Sequence, residues 1–374
     1  MMFKSAPASP CLLILRFSSI GDIVLTTAAM EFIKIRWPEL RLVLVTKKGF
    51  APMFVEHPYL DQIIEFEVFN GEFWRQVHSV NPKAILDLHN NLRSLRVKLN
   101  FWNLPSQSIN KRGLDRWLYI KNYRKTGVDS VVQRNIETAY RLLSSAWVQR
   151  LNSALFVKMR LNSEEIGVAG LPGLSMGNYT KRLEELPNEV CEVILGKNYG
   201  VLHISATYNT KRVSLHVWKY ILEHRSENLV ITGGKEDVLN AEALMALVES
   251  SKNQSPFDVV NLVGKTDLQQ TSAVIQRAIW FVGGDTGFTH VAAAYGIPHI
   301  TVWGNTSPDL GFATWLGDKY PGEIQQHLEV SGLSCRPCSK LGYNACPQGH
   351  FSCMNLQNLQ ELESKLQFLR DRNK

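Results

Sequence analysis

The run Phe281-Val282-Gly283-Gly284-Asp285-Thr286-Gly287-Phe288-Thr289-His290 joins a short apolar strand pattern to a glycine turn and a helix start. Glycine lets the backbone turn tightly and approach a ligand closely. The amides of Thr286, Gly287 and Phe288 then open the helix without partners, and with the helix dipole they suit an anion such as phosphate. The plainer reading makes Asp285 a helix cap and Gly287 a packing residue. A second turn, Ser18-Ser19-Ile20-Gly21-Asp22, follows the apolar run Cys11–Phe17. Asp22 is placed for base chemistry there, although the same dipole weakens a carboxylate as a base. Lys211 and Arg212 follow the strand pattern Val201–Ser205 and could neutralise a diphosphate; the alternative is a solvent-facing pair. Gly233-Gly234-Lys235-Glu236-Asp237 follows another strand, and its acids suit ribose hydroxyls or simply begin a helix.

Cysteines offer a separate chemistry. Cys11 and Cys191 lie in apolar segments and read as small hydrophobes. Cys335, Cys338, Cys346 and Cys353 form C-x2-C-x7-C-x6-C beside His350. Four sulfurs at that density could hold a structural zinc ion, with reduced thiols in a compact loop as the alternative. Disulfides fit a reducing compartment poorly.

These groups have to be positioned by elements, and the sequence alternates strand and helix patterns. Cys11–Phe17, Arg41–Thr46 and Ala84–Leu88 read as strands, with helices over Asp22–Trp37 and Arg93–Leu99. The rhythm resumes at Val201–Ser205, Leu229–Thr232, Val259–Leu262, Trp280–Val282 and His299–Val302. Alternation of this kind implies parallel sheets covered by helices on both faces. The stretch Asn162–Pro187, rich in Gly, Pro, Ser and Asn, reads as the connection between two domains. The expected division is 1–175, 190–355 and a closing helix within 356–374 that packs back on the first domain.

The 374 residues suit two domains rather than one core. No apolar run approaches the roughly 20 residues that span a bilayer. The first ten residues lack the pattern of a signal peptide, so a cytoplasmic address is expected. Net charge is +7, and between Arg93 and Lys125 nine Lys or Arg face the single acid Asp115. Trp102, Trp117, Tyr119 and Tyr123 are interleaved with those cations. Such a segment attracts an anionic glycolipid, an acidic membrane face or nucleic acid, or is simply solvated. No nucleic-acid module is legible in it. No G-x-G-x-x-G follows the first strand either, which argues against a dinucleotide oxidoreductase.

Taken together, Leu13-Ile14-Leu15-Arg16-Phe17-Ser18-Ser19-Ile20-Gly21-Asp22-Ile23-Val24-Leu25-Thr26, Asn261–Thr266, Gly284–Gly287, His290–Ala294, Gly296-Ile297-Pro298 and Trp303–Pro308 resemble the lipopolysaccharide heptosyltransferase family. The four-cysteine tail ending Cys353-Met354 is similar to one branch of it. The resemblance implies the α/β GT-B architecture: two Rossmann-like domains with parallel sheets facing a central cleft. It implies an inverting transfer of heptose from ADP-heptose to a Kdo- or heptose-bearing lipid A acceptor, with no catalytic cofactor and peripheral contact with the inner membrane. Asp22 matches the general base and Lys211, or Arg212, the phosphate-contacting cation. Gly233, Asp237, Asp285, Thr286, Gly287 and His290 fall on the donor side. Ser19, Gly21, Asn90, Arg93 and Arg134 fall on the acceptor side, with Asp87 and Ser94 in the same loop and helix. The sequence departs from the family after Lys211, where Trp218 lies seven residues on without the usual proline. Two other classes stay open: a GT-B transferase using another nucleotide sugar, and a non-catalytic protein that binds anionic ligands.

Overall fold

A computed structural model describes residues 9–145, 171–250 and 255–372. Chain contacts divide it into two compact units, Met1–Lys111 with Val131–Gly177, and Arg112–Ser130 with Asn178–Lys374. The first nine residues of the expected connection Asn162–Pro187 lie outside the described residues.

The first unit is built on β1 (Cys11–Leu15), β2 (Arg41–Lys47), β3 (Gln62–Phe66), β4 (Pro82–Asp87) and β5 (Ser106–Ser108). They form one parallel sheet in the order β3-β2-β1-β4-β5. Every residue of β1 is buried, which its unbroken apolar run requires of a central parallel strand. Its core joins Leu13, Leu15 and Phe17 to Val43, Val45 and Ile85. Where one helix over Asp22–Trp37 is expected there are two, α1 (Ile20–Val24) and α2 (Thr27–Arg36). The break has a local cause. The hydroxyls of Thr26 and Thr27 donate to the carbonyls of Ile23 and Val24 at 2.6 and 2.7 Å, competing with the helical ladder. Helices α3 (Gly71–Ser79), α4 (Leu92–Asn100) and α6 (Val131–Leu143) also belong to the described part of this unit, while α5 (Gly113–Ile120) belongs to the second.

The second unit holds β6 (Tyr199–His203), β7 (Asn228–Thr232), β8 (Val259–Asn261), β9 (Trp280–Gly284), β10 (His299–Trp303) and β11 (Gln325–Glu329). The parallel order is β11-β10-β9-β6-β7-β8. Counted within the unit this is 3-2-1-4-5-6 read in reverse, the arrangement of dinucleotide-binding sheets. Its helices are α7 (Asn188–Gly196), α8 (Leu215–Glu223), α9 (Val238–Ser250), α10 (Leu268–Gln276), α11 (Gly287–Ala294), α12 (Ser352–Asn355) and α13 (Leu359–Asp371). The closing helix α13 belongs to the second unit. Leu362, Leu366 and Leu369 of α13 are fully buried in the core of the second unit with Ile300, Val302 and Leu328, and Arg370 pairs with Glu227 at 3.1 Å. Strands β3, β5 and β11 escape a sequence reading because they are edge strands whose polar residues hide the pattern.

Two buried histidines make this unit acid-sensitive. Burial pushes His203 and His299 down to about 4, below the ordinary 6.5. Both rings have neutral partners: His203 meets the Thr232 hydroxyl, and His299 the Ile297 carbonyl and Thr314 hydroxyl. Between those values the unfolded chain binds protons that the folded chain refuses. Their contribution is complete above pH 6.5 and is lost as pH falls toward 4, at about 1.4 kcal/mol per pH unit for each ring. Urea midpoints measured across that window are expected to fall, and His203→Gln to flatten the slope.

Candidate active site

In open α/β sheets ligands bind beyond the carboxyl ends of the strands, where the strand order reverses. In the second unit that point lies between β6 and β9. The segments leaving them are the turn Asn209–Lys211 and the glycine turn Gly284–Gly287. Lys211 Nζ meets Asp285 Oδ2 at 2.7 Å, and the Thr306 hydroxyl donates to the same oxygen at 2.9 Å. The Thr286 hydroxyl is buried with no partner among the described residues. Its residue caps α11, so the hydroxyl and the amides that follow are available to one ligand.

The glycines of this site answer to backbone approach. A Cβ on Gly284 would stand 2.6 Å from the Lys211 carbonyl oxygen, and one on Gly304 2.6 Å from that of Thr210. The ends of β9 and β10 thus receive the turn that carries Lys211. The cysteine loop braces it from behind. Thr210 exchanges hydrogen bonds with the backbone of Tyr343, Cys338 N donates to Asn305 O at 3.1 Å, and Arg336 Nε donates to Gly304 O at 2.7 Å.

Arg212 does something different from its neighbour. It pairs with Asp237, which is fully buried and also accepts from Gly234 N at 3.1 Å. With both oxygens engaged inside the unit, Asp237 is not presented to a ribose, contrary to the expectation from sequence. Glu236 is the exposed carboxylate of that segment, lying over Gly234. Gly233 lies at the end of β7 against Ile204 and Asp237, and His290 is buried on α11.

The first unit has its own reversal point, between β1 and β4. Arg16, nearly buried, ends the apolar run of β1 and reaches both sides of it. Its guanidinium donates to Leu88 O at 2.5 Å and Ser18 O at 3.1 Å, and pairs with Asp22 Oδ1 at 2.6 Å. Ser19, the cap of α1, donates to Asp22 Oδ2 through N at 3.3 Å and Oγ at 3.2 Å, while Gly21 is buried within α1. Burial opposes ionisation of Asp22. The Arg16 charge and the hydrogen bonds from Ser19 and Arg16 outweigh it and hold the carboxyl below its usual range. His89 stands on the same side, its ring tilted against Phe17. Burial, then Arg16 and Lys111, push it down to about 4, so it is neutral at physiological pH.

The remaining acceptor-side expectations divide. Arg93 is exposed at the start of α4. Asn90 takes a left-handed turn conformation and its amide donates to Ile109 O at 2.8 Å. Arg134 is only 4 % exposed, with Nη1 on Asn110 O at 3.0 Å, which makes it a brace rather than a surface contact. Asp87 is fully buried and organises the loop: it accepts from the amides of His89 and Asn90, from Ser94 Oγ and Ser108 Oγ, and pairs with Lys98 at 3.1 Å. Asp87→Ala strands the Lys98 ammonium and those donors. The expected loss is about 3–5 kcal/mol of stability, read from chemical denaturation.

Cys335, Cys338, Cys346 and Cys353 line one cavity of about 190 Å³ with His350 and Asn305. Among the described residues no three His, Cys, Asp or Glu are placed to hold a metal ion, so of the two readings of the four sulfurs the placement is that of thiols in a compact loop rather than a zinc set. All six cysteines are free thiols. The basic segment Arg93–Lys125 is also not one element. It divides after Lys111 between the two units, and within it Lys98, Arg112 and Arg124 are paired with acids while Arg116 is buried. No helix among the described residues is long and apolar enough to cross a membrane.

Three residues of these clusters were not singled out as site residues in the sequence: Arg16, Thr306 and His89. Arg16 had a visible signal, a cation closing a strand otherwise wholly apolar. Thr306 lies in the stretch Trp303–Pro308 that carries the resemblance, without a role marked for it, and His89 had no signal.

Two parallel sheets, each with a polar cluster at its reversal point, define the class: this is the α/β fold of GT-B glycosyltransferases. A glycosyltransferase family 9 structure from Veillonella parvula superposes with a TM-score of 0.66 at 14% identity, covering 98% of both chains. An E. coli heptosyltransferase, WaaC, solved with ADP superposes at 0.58 and 19% identity, covering 95% of this chain and 99% of its own. In sequence, lipopolysaccharide heptosyltransferase 1 of Pseudomonas aeruginosa is 22% identical over 345 residues, 88% of this chain and 86% of that one. Residues 71–315 match the profile of glycosyltransferase family 9 (heptosyltransferase), and the chain belongs to that family. It is a glycosyltransferase.

Proposed function

We propose that this enzyme transfers heptose from ADP-heptose, with inversion, to an anionic glycolipid of the lipopolysaccharide inner core. The Lys211–Asp285–Thr306 cluster beside the amides of Thr286–Phe288 carries the reading. A cation and open helix-start amides at a reversal point suit a nucleoside diphosphate. The E. coli relative solved with ADP supports the choice of nucleotide.

In this reaction the acceptor hydroxyl oxygen attacks the anomeric carbon as the bond to the diphosphate oxygen breaks. ADP leaves with the electron pair, and the hydroxyl proton passes to Asp22. Lys211 and the helix-start amides stabilise the charge growing on the diphosphate; among the ways an enzyme lowers a barrier, electrostatic stabilisation of this sort usually contributes most. Arg16 holds Asp22 ionised and oriented; Ser19 occupies both lone pairs of Oδ2, while Oδ1, which meets Arg16 alone, keeps one for the acceptor. Glu236, rather than Asp237, is the carboxylate offered to ribose hydroxyls. The reaction is drawn with side chains and backbone alone. The acceptor places the enzyme on the cytoplasmic face of the inner membrane, and nucleic acid has no part in it.

Calorimetry with ADP-heptose, ADP-glucose, UDP-glucose and GDP-mannose tests the donor. The expected result is selective binding of ADP-heptose, lost in Thr286→Pro. Preference for a UDP or GDP sugar moves the enzyme to another pathway, and binding of none overturns the reading.

A further inference from the structure

Helix α4 of the first unit has a face that none of this chemistry uses. Ser94, Val97 and the capping Phe101 are buried against the unit. On the opposite side stand Leu92, 85 % exposed, Leu95, 43 %, and Leu99, 64 %, with Trp102, 83 %, just beyond the helix. Spacings of three and four put the leucines in one stripe. Single exposed leucines are ordinary, but four large apolar side chains clustered on one helix are a patch.

The charge around the patch says what covers it. Residues 92–103 contain Arg93, Arg96 and Lys98 and no acid. Lys98 turns inward to Asp87, whereas Arg93 and Arg96 are exposed beside the leucines. An apolar stripe edged by arginines, with a tryptophan at its end, matches a helix lying in the interface of an anionic bilayer. There the leucines enter the boundary below the headgroups, the arginines meet lipid phosphates and the indole sits at headgroup level. A second copy of the chain would bring the same cations against themselves.

We infer that the exposed face of α4 docks the enzyme on an anionic lipid surface. This rests on the proposed reading in one respect, since an acceptor embedded in a bilayer must be met there. Nine residues of helix bury little area, so the contact is reversible and needs both the apolar stripe and the charge.

The test is flotation of the full chain with vesicles of phosphatidylcholine alone or with added phosphatidylglycerol, free of any acceptor. Binding is expected only with the anionic lipid, weakening at high salt. Leu95→Gln/Leu99→Gln/Trp102→Gln should reduce it at least about tenfold, with an unchanged melting temperature and unchanged ADP-heptose affinity. Arg96→Gln should lower binding at low salt alone. Wild-type indifference to anionic vesicles overturns the inference. So does a triple variant that binds as well as wild type, or a wild-type dimer in sedimentation that the triple variant dissolves. Because the vesicles hold no acceptor, failure to bind ADP-heptose would remove the proposed heptose transfer and leave this inference standing, and the reverse holds equally.

Discussion

Asp22→Asn is expected to lower kcat by about 10²–10⁴-fold, the usual span for loss of a general base, with donor affinity unchanged. Asparagine keeps the shape but has a single acceptor oxygen, so it can accept from Ser19 or face Arg16 and not both, and the change removes the charge and the proton-accepting lone pair together with one of those contacts. Asp22 is a weak base in this structure, through Arg16 and Ser19 rather than a helix dipole, because they hold the carboxyl below its ordinary range. A base that weak works only if the acceptor proton becomes acidic as the new bond forms, which places proton transfer late in the reaction. One consequence is measurable. Asp22 should be ionised throughout about pH 5–8, and the rate should show no acidic limb from it in that window. The substitution also deprives the nearly buried Arg16 of its counter-charge, so a stability loss of about 1–3 kcal/mol should accompany it. A kcat within threefold of wild type, in protein that is folded by its melting curve, removes Asp22 from the chemistry.

The fold was legible where burial is symmetric. Central strands such as β1 and β9 are apolar throughout, since both faces are covered, and their runs stand out in the sequence. The edge strands β3 and β11 were not, because Gln62–Phe66 and Gln325–Glu329 bury only part of their length, whereas the edge strand β8 showed through its paired valines. The glycine turn and Asp22 were legible as points because a reversal point needs turn residues beside a strand end. Their partners were not. Asp285 with Thr306, and Arg16 with Leu88, are joined across strands that the sheet order brings together, and one sequence carries no record of that order. Asp237 shows the same limit from the other side: a carboxylate after a Gly-Gly turn reads as a ligand contact until its burial and its pairing with Arg212 are seen. The closing helix shows a related limit. Its polar composition suggests a surface element, yet three leucines four and three residues apart are enough to bury one face.

Lys211 and Arg212 are adjacent, equally charged and expected to fail in different ways. Lys211→Met should reduce kcat/KM by about 10²–10³-fold, on the scale of about 2.7–4 kcal/mol for removing one strong stabilising donor. Without donor present, its ammonium is balanced by Asp285, so the loss frees an acid that Thr306 still partners and stability should change little. Lys211→Arg should not restore the rate. The Lys211 backbone is pressed against Gly284, so a longer planar head cannot be accommodated by withdrawing the turn. Arg212→Ala is the contrasting case. It leaves the fully buried Asp237 carboxylate with one backbone amide and no cation, and should cost about 3–5 kcal/mol of stability. Its kcat, measured below the melting transition, should stay within a few fold of wild type. If instead Arg212→Ala abolishes donor binding in folded protein while Lys211→Met leaves it intact, the diphosphate belongs to Arg212. The role drawn for the Lys211–Asp285 pair then falls with it, and the glycine turn would be holding a different part of the donor.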